Sequence, residues 1–138
     1  MISPAAERRL LQCVVAAVCA VPFAASLAGI ALGAKWLAPG DAHRDLDSHF
    51  RYLSGIFLGL GLGFASCVPG IERHGARLRL LGAMVVLGGL ARLWSFHTIG
   101  APSIGHRVGL GIELGVVPLV ILWQTRVARR FFRANPVR

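Results

Sequence analysis

Long apolar runs alternate along the chain with short polar intervals. Four runs stand out, at roughly 10–33, 52–69, 80–96 and 108–123. A helix rises about 1.5 Å per residue, so ~20 apolar residues cross a hydrocarbon core ~30 Å thick. The first two runs meet that length directly, and the other two meet it once a few flanking polar residues are included. The predicted spans are then about 10–33, 49–69, 78–97 and 106–125, followed by a basic tail at 126–138. They take up most of the sequence, so residues 1–138 read as a single transmembrane domain with no soluble one beside it. The interval at 34–47 is the longest, with Pro39 and Gly40 as a turn signal. The intervals "PGIERHGARLR" and "HTIGAPSIGHR" are short, which sets successive spans antiparallel. The predicted fold class is all-α, a polytopic membrane protein built as an up-down-up-down four-transmembrane-helix bundle. Pro22 and Pro118 are expected to kink spans one and four.

Composition agrees with this pattern. The chain is 55% hydrophobic and 15% charged, against about 25% charged for an average soluble chain. A net charge of +9 would point a soluble protein toward nucleic acid. Its distribution excludes that partner here. Arg8, Arg9, Arg73, Arg77, Arg79, Arg126, Arg129, Arg130, Arg133 and Arg138 fall on one side of the predicted spans, and Lys35, Arg44 and Arg107 on the other. Excess Lys and Arg in short loops marks the cytoplasmic face. Both termini are therefore expected in the cytoplasm, with the chain multi-pass in a bacterial inner membrane. The tail "RVARRFFR" suits anionic headgroups, which makes membrane lipids an expected partner. The first span resembles a signal peptide at its start, but its apolar run continues too far for a cleaved signal core, and retention is expected. Cys13, Cys19 and Cys67 show no C-x-x-C spacing and read as small apolar packing residues.

Within the spans, glycines and charges carry the remaining information. Gly55, Gly59 and Gly63 are four apart and form one ridge on span two. Small residues let helix backbones approach in lipid, where little else drives association. Gly88 and Gly89 on span three and Gly109 on span four offer further packing surfaces. Three charges interrupt the apolar runs: Arg51, Arg92 in "LGGLARLWS" and Glu113 in "GLGIELGVV". Such groups face a protein interior or a wet cavity and usually pair. Counting from the outer ends of their spans places Arg92 roughly 7 Å and Glu113 roughly 10 Å deep. An Arg92–Glu113 pair is expected, with Arg51, His106 and Tyr52 completing a candidate polar cluster in the outer half.

Other chemistry is weakly represented. The histidines at 43, 49, 97 and 106 lack the i, i+4 spacing of a metal site, so no metal is expected. Ser54, Ser95 and Ser103 have no evident base beside them, and no catalytic residue is predicted. "GLGLGF" follows no strand and is not a dinucleotide loop, and no cofactor is implied.

The stretches "HFRYLSGIFLGLGL", "RLLGAMVVLGGLARLWS" and "GIELGVVP" resemble a bacterial family of small four-helix membrane proteins known as domain of unknown function 4345. The resemblance runs from about residue 45 to 123. It implies the four-span fold and makes Arg51, Arg92 and Glu113 family-like polar positions, but implies no activity. The expected function is therefore that of a non-enzymatic accessory or interaction subunit, packing through glycine-rich helix faces against other membrane-protein subunits or a second copy. The alternative is binding or transport of a lipid-like or anionic small molecule through the outer cluster.

Overall fold

The computed structural model describes residues 3–37 and 43–134. The turn signal at Pro39 and Gly40, and Arg138 of the tail, lie outside the described residues. Among the described residues five α-helices follow one another: α1 (Pro4–Leu32), α2 (Arg44–Cys67), α3 (Gly75–Ile99), α4 (Ile104–Gly111) and α5 (Val117–Ala134). A 3-10 turn (Gly33–Trp36) closes α1, another (Ile71–Arg73) precedes α3, and a π-helical turn (Ile112–Val116) joins α4 to α5. Four helical rods result, Pro4–Trp36, Arg44–Cys67, Gly75–Ile99 and Ile104–Ala134, each long and apolar enough to cross a membrane. The protein is all-α with four candidate spans, as the apolar runs predict.

Chain contacts divide the protein into two compact units. One comprises Cys13–Val68; the other comprises Met1–Gln12 together with Pro69–Arg138. In the first unit α1 and α2 form an antiparallel pair. Its contacts are made by small groups: a Cβ at Gly29 would collide with Ser54 Oγ, and one at Gly61 would lie 3.3 Å from the Pro22 ring. Ser54 turns its hydroxyl back to the Phe50 carbonyl, 2.8 Å away, which satisfies it without a partner across the seam. Pro22 is helical on both sides and spends its ring on Gly61.

In the second unit α3 runs antiparallel to α4 and α5. Gly75, Gly82 and Gly89 are seven apart, hence nearly in line along α3. Gly75 faces the Gln124 amide, Gly82 the Ile121 side chain, and Gly89 Leu114 and Glu113. Leu78 and Val127 are buried in the same seam. The π-helical turn ends two residues before Pro118, whose ring removes one hydrogen-bond donor from the helix. The local widening of the helix accommodates the proline expected to disturb this span.

The packing glycines differ from those expected at several positions. A Cβ built at Gly55, Gly59 or Gly88 meets nothing within 4 Å, and one at Gly109 only Glu113 Oε1 at 4.0 Å. These positions therefore make no close contact with another helix of their own unit. The reason is rotational. At about 100° per residue, Gly61 lies within roughly 20° of Ser54 around α2, whereas Gly59 lies about 140° away. A four-residue spacing identifies a ridge but not the side on which the neighbouring helix lies.

Candidate functional site

The answer to why Arg51 opens an apolar segment lies at the end of α1. Gly33 takes φ +66°, the left-handed conformation that commonly terminates a helix. The last carbonyls of α1 are thereby left without intrahelical donors. Arg51 donates to two of them, those of Ile30 and Ala31, and through Nε to Asp47 Oδ2 at 2.8 Å. Asp47 Oδ1 in turn accepts from the Ala34 amide at 2.8 Å. The Asp47–Arg51 pair is a side-chain cap for α1. Its cation sits against the negative end of that helix dipole.

Arg92 and Glu113 meet as expected. Arg92 Nε donates to Glu113 Oε2 and its Nη2 to Oε1, both at 3.0 Å, a two-pronged fork in which both carboxylate oxygens are used. Glu113 is 13% exposed and Arg92 33%. Two features of the chain bring them together. Arg92 lies three residues past Gly89, on the face that carries the glycine line. Gly89 leaves room for the Glu113 Cβ, 3.0 Å from where its own Cβ would lie. Glu113 itself belongs to the π-helical turn.

The other proposed cluster members have local surroundings. His106 Nδ1 is 2.9 Å from Ser103 Oγ at the start of α4. Tyr52 is 65% exposed, its ring 6.4 Å from that of His49. Arg51 spends its guanidinium on its own unit. Of the five residues, the structure brings only Arg92 and Glu113 into direct contact.

A second polar constellation, not singled out from the sequence, lies within the unit of residues 1–12 and 69–138. Glu7 and Glu72 are 7% and 5% exposed. Glu7 Oε1 stands 3.4 Å from Arg126 Nε and accepts from Trp123 Nε1 at 3.3 Å, while Oε2 accepts from Arg130. Glu72 Oε2 accepts from Arg8 Nε at 2.7 Å, and the Arg8 guanidinium lies 5.4 Å from the Phe131 ring centroid. Gln124, 1% exposed, donates to the Ile71 carbonyl at 2.9 Å. The first turns of α1, the 3-10 turn before α3 and the last turns of α5 are thus tied by buried carboxylates. The available signal was a lone acid inside each basic interval, in "AAERRL" and "GIERHGAR".

An open groove of ≈ 470 Å³ lies at this end of the unit, between the start of α3 and the last turns of α5. Among the described residues, this end carries nine arginines against two glutamates, which leaves seven positive charges. Every acidic side chain among the described residues has a cationic or histidine group within 4.0 Å: Glu7, Asp45, Asp47, Glu72 and Glu113.

No curated protein and no solved structure matches this chain. A family model does, that of "Domain of unknown function (DUF4345)", over residues 10–124. That interval contains all four apolar runs, the Arg51 cap and the Arg92–Glu113 fork, and the chain therefore belongs to the DUF4345 family.

Proposed function

We propose that the protein is a non-catalytic membrane subunit that works by associating with other membrane helices through the glycine ridge of α2. The observation that carries this reading is the open space at Gly55 and Gly59, on a face of α2 turned away from its contact with α1. An exposed ridge of small residues offers close backbone approach to another helix, which is what drives association in lipid. Tyr52 and Ile56 flank that ridge and are exposed with it. The partner is a second copy of this chain or another membrane subunit.

The state of the carboxylates supports a non-enzymatic role. General acid–base work needs a carboxyl group poised to exchange a proton with substrate. Glu7, Glu72 and Glu113 are instead held in arginine ion pairs. The alternative, a small-molecule site built on Arg51, Arg92 and Glu113, has less support for the same reason. Both Glu113 oxygens and two nitrogens of each guanidinium are engaged by one another, by Asp47 or by backbone carbonyls.

The test is a cysteine placed at Gly59 and cross-linked in native membranes. A discrete adduct is expected, and its absence counts against association through this face. The arginine-rich end is proposed to face the cytoplasm of a bacterial inner membrane. Alkaline phosphatase fused after Pro102 should then be active and a fusion after Gly75 silent. Activity after Gly75 with silence after Pro102 would reverse the orientation.

A further inference from the structure

The groove between α3 and α5 has a chemistry that helix association does not use. Its volume, ≈ 470 Å³, falls within the size range of small-ligand sites. Arg73, Arg79 and Arg129 line it from the turn before α3, from the first turns of α3 and from the last turns of α5. None of the three side chains has a hydrogen bond or ion pair among the described residues. The single carboxylate in the lining, Glu72, is already neutralised by Arg8 at 2.7 Å. The three arginines therefore border the groove without an internal counter-ion.

Thr125 and Gln124 also line the groove, with their donors engaged within the fold, the Thr125 hydroxyl by the Ile121 carbonyl at 3.0 Å and the Gln124 amide by the Ile71 carbonyl at 2.9 Å. Gly75 and Ala76 line the groove as the first residues of α3, and the His74 side chain makes no cap hydrogen bond to that helix end. The first-turn amides of a helix lack intrahelical acceptors and favour an anion. On the side of α5, Ala128 and Phe132 supply an apolar lining. Arginines beside an apolar wall at the end of a membrane-spanning helix match the boundary where a phosphate meets acyl chains.

We infer that this groove binds a phosphate-bearing anion through Arg73, Arg79 and Arg129, and that an anionic phospholipid headgroup is the source its apolar lining favours. The site is distinct from the glycine ridge of α2 and does not depend on it.

The experiment measures retention of phosphatidylglycerol by the full chain in an uncharged detergent, by native mass spectrometry, with phosphatidylcholine as reference lipid. Removing two arginines at ~1 kcal/mol each should weaken retention roughly 30-fold in Arg79→Gln/Arg129→Gln. The control Arg9→Gln/Arg133→Gln removes the same charge from the same end outside the groove, and should stay within a few-fold of the parent. Ala128→Trp fills the groove while keeping every charge, and should lower retention comparably. It serves as the second variant should the double substitution fail to fold. Equal losses in the two arginine pairs, or an unaffected Ala128→Trp, would reduce the attraction to diffuse surface charge and overturn the site. Inorganic phosphate separates the sources. Competition by phosphate, lost in the groove variant, makes the phosphate group the recognised element whichever molecule carries it. Retained phosphatidylglycerol without phosphate competition makes the lipid the ligand. Failure to hold either one in the parent chain would refute the inference.

Discussion

Arg92→Leu and Glu113→Leu should each destabilise the detergent-solubilised protein by about 3–5 kcal/mol, and the double substitution should recover most of that loss. The fork uses both carboxylate oxygens and two guanidinium nitrogens, so either single change strands a charge between α3 and the π-helical turn. Arg92→Lys should recover only part of the stability. A point charge on a flexible stem cannot reproduce the two parallel hydrogen bonds. Thermal unfolding of the four chains forms a double-mutant cycle. Additive losses in the double variant would mean that the two side chains act independently.

The second large effect is expected at Glu7. Its carboxylate receives Arg130 and Trp123 and lies beside Arg126, so Glu7→Leu removes the common acceptor of three side chains. Arg126 keeps most of its exposure, which limits the penalty to that of losing charged hydrogen bonds at Trp123 and Arg130. Each such bond is worth ~1.5–3 kcal/mol, so a loss of on the order of 3 kcal/mol is expected. Glu72→Leu should cost less. It frees a single cation, Arg8, which is partly exposed and retains the Phe131 ring. Glu7→Gln should fall between parent and Glu7→Leu, because a neutral amide oxygen still accepts from Trp123. A Glu72 effect larger than that of Glu7 would contradict this ranking.

These two sites differ in how far they were legible in the amino-acid sequence. Arg92 and Glu113 interrupt apolar runs, and counting residues from the span ends places them at similar depths. The pairing follows from those two facts alone. Glu7 and Glu72 interrupt nothing: they sit in basic intervals whose arginines already had a topological explanation. Buried acids in such intervals become visible only once the first turns of α1 are seen against α5 within one unit. Arg51 is an intermediate case. Its unusual position was evident, but its role depends on Gly33 ending α1, eighteen residues earlier in the chain. The Asp47–Arg51 spacing of four was a readable signal of the cap. The glycines show the limit of periodicity most clearly. Gly55, Gly59 and Gly63 make the more regular ladder, yet α1 packs on Gly61, because Pro22 needs a missing side chain opposite its ring. The seven-residue line Gly75, Gly82 and Gly89 carries the α3 seam, and its spacing was concealed by the adjacent Gly88.

The proposal that α2 associates through its open ridge is tested most directly by the Gly59 cross-link, run against a position on the same helix. In a chain carrying Cys13→Ala, Cys19 and Cys67 are buried, so an introduced cysteine is the accessible thiol of the spans. Gly59→Cys should form a discrete adduct in membranes. Leu53→Cys, also exposed but turned well away from the ridge, should not. Gly59→Leu should remove the associated species from the detergent-solubilised protein without lowering its thermal stability, because among the described residues nothing beyond the local backbone of α2 lies within 4 Å of the added Cβ. Cross-linking that is equal at Gly59 and Leu53, or absent at both, would contradict association through the glycine ridge.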